Sequence, residues 1–70
     1  MNSQRILNRV SGMELEDFER DAFEPFIRIE LKLLGTTLDA CREDIFNVAF
    51  QRACAIIMNG RTFFRRNHAL

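Results

Sequence analysis

The residues able to do chemistry in this chain are ten carboxylates, two cysteines (Cys41 and Cys54) and one histidine, His68. Glu14, Asp17, Asp21, Glu24 and their neighbours recur at three- and four-residue spacing, the interval that lines up carboxylates in di-iron bundles. That chemistry also needs a Glu-x-x-His pair, and the only histidine stands three residues from the C-terminal end of the sequence. Glu16 with Arg20 and Glu24 with Arg28 read instead as i,i+4 surface pairs, worth a few tenths of a kcal/mol each. Cys41, Cys54 and His68 lack the close C-x₂₋₄-C or paired-His spacing of a zinc site. On one helix the two cysteines would stand about 20 Å apart, while a disulfide spans a Cα separation of about 4.4 to 6.8 Å. They read as small hydrophobes, with Cys54 nearer the polar edge and expected to react first with a thiol reagent. General acid–base pairs and hydrolytic triads need a rigid cleft, which two helices do not offer. The expectation is a protein with no catalytic residues, no metal and no cofactor.

The stretch Gly60–Arg66, GRTFFRR, interleaves phenylalanines with cations and could track a nucleic-acid backbone while its rings stack on bases. Arg61, Arg65 and Arg66 are the candidate contacts. Against them stands the charge of the rest. Net charge is zero, but all ten acids fall within residues 13–44 beside four bases, giving −6. The two ends are basic, at +2 (Arg5, Arg9) and +4 (Arg52, Arg61, Arg65, Arg66). An acidic body repels phosphate, and polar asymmetry of this kind equally favours self-association or docking on a complementary protein.

The elements that would carry these groups hinge on residues 23–35, FEPFIRIELKLLG. Between Ile27 and Leu33 apolar and charged residues alternate as in a half-buried strand. A helical register accounts for more: Glu14, Asp17, Asp21, Glu24, Pro25, Arg28 and Lys32 make one polar stripe. Opposite it run Leu15, Phe18, Ala22, Phe26, Ile29 and Leu33 at buried-seam spacing. The spacing predicts a helix over residues 12–34, opened by a Ser11-x-x-Glu14 capping box, kinked near Pro25 on the solvent side and closed by Gly35. The fallback is an α+β fold with a strand at 26–34. A second helix over 38–58, N-capped by Thr36 or Thr37, is expected to stop at Asn59-Gly60. It should bury Leu38, Cys41, Ile45, Val48, Ala49, Ala53 and Ile56. The plan is an all-α antiparallel hairpin in a single domain. It has a basic N-terminal segment (1–11), whose Ile6, Leu7 and Val10 have the spacing of a short helix docked on the hairpin, and a basic tail (59–70).

Seventy residues bury only about 60% of the unfolded surface, and such cores rarely supply more than about 3–5 kcal/mol without a staple or a partner. Each expected helix carries a second apolar stripe that a lone hairpin leaves bare: Met13, Phe23, Ile27, Leu31 and Leu34 on one, Phe46, Phe50 and Ile57 on the other, with Phe63 and Phe64 in the tail. All seven aromatics are phenylalanine, which suits dry packing. Phe23, Ile27, Leu31, Leu34, Phe46, Phe50, Ile57, Phe63 and Phe64 are therefore the expected partner interface. Glu16, Glu19 and Glu30 on the first helix and Arg42 and Arg52 on the second, charges lying among apolar residues, are expected to pair across the hairpin or the subunit contact and set its register, with Glu16, Glu30, Arg42 and Arg52 as the main register-setting charges.

The longest apolar run, Ala53–Met58, is far below the roughly 18–20 residues of a membrane span, and the first residues lack an apolar signal core. Together with two free thiols this points to the cytoplasm. The expected function is a non-enzymatic protein–protein interaction module, an adaptor, anti-activator or co-chaperone that pairs with itself as a homodimer or with a larger protein, with no membrane and no small-molecule substrate. The competing expectation is a nucleic-acid-associated regulator using the basic tail. In size and plan the hairpin is similar to the helical co-chaperones of type III secretion needle subunits, a likeness of architecture without a shared motif.

Overall fold

A computed structural model describes the backbone of residues 3–68 and the side chains of residues 3–61. Three helices follow one another: α1 (Ser3–Val10), α2 (Asp17–Leu33) and α3 (Glu43–His68). The described residues contain no strand, so Ile27–Leu33 is helical and the α+β fallback falls away. The radius of gyration is 12.9 Å and the longest extent 44 Å, against about 11 Å for the radius of a compact domain of this length. The molecule is a rod, as α3 alone would make it at about 39 Å.

The first helix boundary differs from expectation by five residues. Ser11 does not cap α2; its hydroxyl bonds back to the carbonyl of Asn8, finishing α1. The cap is Glu16, whose N–H donates at 2.9 Å to the carboxylate of Glu19, three residues on. A capping box thus exists, one turn later, with carboxylates in the hydroxyl's place. α2 then runs through Pro25 without a break. Pro25 faces solvent, where the carbonyl it frees can bond water. Gly35, at φ 81°, closes the helix as a Schellman motif: its N–H bonds to Lys32 O at 3.0 Å and that of Thr36 to Leu31 O at 2.9 Å.

α3 departs most from the expected 38–58. Thr37 holds one local turn, through Cys41 N–H to its carbonyl at 2.9 Å and Ala40 N–H to its hydroxyl at 3.2 Å. Leu38 drops from that turn into the core, and the helix starts only at Glu43. It continues past Asn59-Gly60, where a Cβ would meet nothing. A helical glycine costs about 1 kcal/mol, and one residue later Arg61 bonds the Glu19 carboxylate across the hairpin.

The core consists of Ile6 and Val10 from α1, Phe23, Ile27 and Leu31 from α2, Leu38 from the loop, and Phe46, Ala49, Phe50, Ala53 and Ile57 from α3. Phe23 stacks on Phe50 with centroids 5.2 Å apart, and Phe46 meets Phe50 at 6.1 Å. Both long helices are therefore turned relative to expectation. The stripe assigned to a partner is the core, and Phe18, Ile29 and Leu33, assigned to the core, are exposed. The cause lies in α1, which seals one side of the hairpin, and in the acids Glu19 and Glu30, which turn toward cations on α3.

Candidate functional site

The two sides of the hairpin differ in kind. On one side α1 lies over the seam. Arg5 donates to Leu38 O at 2.8 Å and to Glu43 Oε2 at 3.0 Å, with its guanidinium carbon 4.5 Å from the Phe46 ring centroid. Arg9 sits 4.6 Å from the Phe50 centroid and bonds Asn47. Cation–π contacts of this sort contribute about 0.5–2 kcal/mol. The basic N-terminal segment is thus used inside the fold, as the lid of the aromatic cluster.

Among the described residues the opposite side has no such cover. Here Glu30 is 12% exposed and accepts the Nε–H of Arg52 (65% exposed) at 2.8 Å, joining α2 to α3. Side chains three or four residues apart share a helix face, so this bridge locates the apolar residues around it. Phe26 and Leu33, with adjacent Ile29, flank Glu30; Val48 and Ile56, with Ala55, flank Arg52. A shallow groove lined by Glu30, Arg52, Ala55 and Ile56 runs along the bridge. Phe18, Ile29 and Leu33 are 72%, 56% and 76% exposed, and Val48 and Ile56 are 45% and 43%. Phe26 is only half-buried against the core. The result is an apolar strip on both helices beside the ion pair, and exposed strips of this kind are often functional.

Of the expected interface residues, Phe23, Ile27, Leu31, Phe46, Phe50 and Ile57 are buried within the single chain and are not available to a partner. Leu34 is exposed. The side chains of Phe63, Phe64, Arg65 and Arg66 lie outside the described residues. Of the register charges, Glu30 and Arg52 pair across the hairpin. Glu16 caps α2 instead, and Arg42 pairs with nearby Asp44 at 3.7 Å, in solvent.

A second cross-hairpin bridge joins Glu19, one of the acids expected to pair, to a cation that was not expected, Arg61. Glu19, 3% exposed, accepts from Arg61 at 2.6 and 2.7 Å while also taking the Glu16 N–H. Arg61, a candidate nucleic-acid contact, is thus held by a buried carboxylate, which keeps the guanidinium firmly charged. The spacing of Glu19 among apolar residues was the available signal; its partner was hidden because the helix was expected to end at residue 58.

Burial pushes the Cys54 thiol up, only partly offset by nearby Arg9, which disfavours its thiolate. The two cysteines are free. No group of three His, Cys, Asp or Glu side chains among the described residues is arranged to hold a metal, and no helix among them is long and apolar enough to cross a membrane. No family model, curated protein or solved structure matches the chain.

Proposed function

We propose that the protein is a small non-enzymatic interaction module, working in the cytoplasm, that binds another protein through the strip formed by Phe18, Phe26, Ile29 and Leu33 on α2 and Val48 and Ile56 on α3. The observation that carries this reading is the one-sided burial: an amphipathic hairpin sealed by α1 on one side and left apolar on the other. A strip lined by two helices accepts a further helical surface, as helix-in-groove complexes do. The ion pair beside it rejects partners that leave it unmatched. Adaptor, anti-activator and co-chaperone roles all use such a surface stoichiometrically. The nucleic-acid alternative is weaker on this geometry, since Arg61 is already paired with Glu19.

A photo-crosslinking residue placed at Ile29 or Leu33 in the full chain, in cells, tests the reading. Covalent adducts to protein, the chain itself included, are expected from those positions and not from Asp21 or Arg28 on the polar side. Equal labelling from both sides, or none from either, would overturn it.

A further inference from the structure

The strip has a shape and charge pattern that can be matched against specific occupants. We infer that its occupant is a second copy of this chain, packed so that α2 of each protomer lies over α3 of the other about a twofold axis parallel to the hairpin. This rests on the interaction reading above and names its partner.

Three features carry it. The first is charge. α2 holds five acids and three bases, whereas the described side chains of α3 hold two acids and two bases. Placing α2 over the partner's α3 sets an acidic helix beside a neutral one around a four-helix bundle, whereas α2 over α2 sets like against like.

The second is the ion pair itself. A twofold axis parallel to the helices leaves every residue at its own height. Glu30 and Arg52 share a height because they are bonded. Glu30 therefore faces the partner's Arg52, and Arg52 faces the partner's Glu30. Arg52 uses its Nε–H on Glu30, and among the described residues its two terminal nitrogens make no other hydrogen bond. They are the donors that a second carboxylate needs, and four charges close into a ring at the axis. A pair that would leave unused donors buried against a purely apolar partner is completed by its own copy.

The third is size. The bonds from Glu19 to Arg61 and from Glu30 to Arg52 fix the antiparallel register of the hairpin, placing Leu33 level with Val48 and Phe26 level with Ala55. Across the axis a large side chain thus meets a smaller one at both levels, as interdigitating layers require. The resulting up-down-up-down bundle has antiparallel neighbours throughout.

Sedimentation equilibrium on the purified full chain should give twice the 8.2 kDa monomer mass, and Ile29→Glu should weaken association by roughly 100-fold or more while keeping its helical circular dichroism. The doubly exchanged variant Glu30→Arg/Arg52→Glu tests the axis. It keeps the pair within a chain and the ring between identical copies, so it should dimerise with itself. Mixed with wild type it would set Glu against Glu and Arg against Arg, so tagged wild-type and exchanged chains should sort into separate dimers. Free mixing of the two would overturn the arrangement. If the exchanged variant does not fold, a wild-type dimer insensitive to Ile29→Glu would do the same. A monomeric wild type that still crosslinks another protein from Ile29 would sink this inference and leave the interaction reading standing; a monomer without adducts would sink both.

Discussion

The two sides of the α2–α3 hairpin start from similar material and end differently. Both are apolar stripes interrupted by charge. On the α1 side the charges, Arg5 and Arg9, arrive from outside the hairpin and lie flat on Phe46 and Phe50, so ring faces, carbonyls and a carboxylate all find partners within the chain. On the other side the charges belong to the hairpin itself, and Glu30 with Arg52 bridges the helices without covering Phe26, Ile29 or Leu33. The contrast teaches that in so short a chain a single two-turn helix decides which stripe is core. α1 supplies Ile6 and Val10 to one seam, and nothing comparable among the described residues exists for the other.

That comparison can be broken by substitutions on each side. The largest effect belongs to the closed side: Phe50→Ala should destabilise folding by about 3–5 kcal/mol, enough to leave a domain of this size largely unfolded in thermal melts. Arg5→Ala should cost about 1–2 kcal/mol through lost hydrogen bonds and the Phe46 contact, read as a lower denaturation midpoint and faster amide exchange in α1. Gly60→Ala should act in the opposite sense, stabilising by about 0.5–1 kcal/mol, because α3 is helical there and the added methyl meets open space; an unchanged midpoint would argue that the helix ends at Asn59. On the open side Ile29→Ser should change monomer stability by no more than about 0.5 kcal/mol, although it removes apolar surface from the strip.

The smallest effect is electrostatic. Glu24 is held below the usual carboxylate range, first by a hydrogen bond from Ser3, with burial opposing and Arg28 assisting. A carboxyl depressed on folding stabilises above its unfolded pKa and loses that contribution as pH falls through the lower folded value. Glu24 is exposed enough for solvent screening to keep the effect small. Ser3→Ala should therefore melt slightly below wild type at neutral pH, and the gap should close below about pH 4.

Much of this fold was legible in the sequence. The helical register expected over residues 12–34 outweighed the alternation from Ile27 to Leu33 and holds from Asp17 to Leu33, Gly35 marked its own left-handed turn, and the polar stripe through Asp21, Arg28 and Lys32 was correctly assigned to solvent. The surplus of apolar surface was legible too. Which stripe was surplus was not, because two stripes lie side by side on α2 with equal helical spacing. The choice is made by long-range partners: α1 on one flank, and Arg52 and Arg61 drawing Glu30 and Glu19 toward α3. Asn59-Gly60 misled for a related reason, since a weak local stop yields when the next residue gains a buried ion pair. Cys54 shows the same limit, as its reactivity depends on cover that only tertiary packing supplies.

The most direct measurement is the accessibility of individual methyl groups to a soluble paramagnetic probe, followed by NMR as the full chain is diluted. If the open strip is where the protein associates, the methyls of Ile29, Leu33, Val48 and Ile56 are shielded at high concentration and gain relaxation on dilution, while Leu7 on the far side of the molecule stays accessible throughout. Strip methyls as accessible as Leu7 at every concentration, in a chain that remains folded, would contradict self-association through this face.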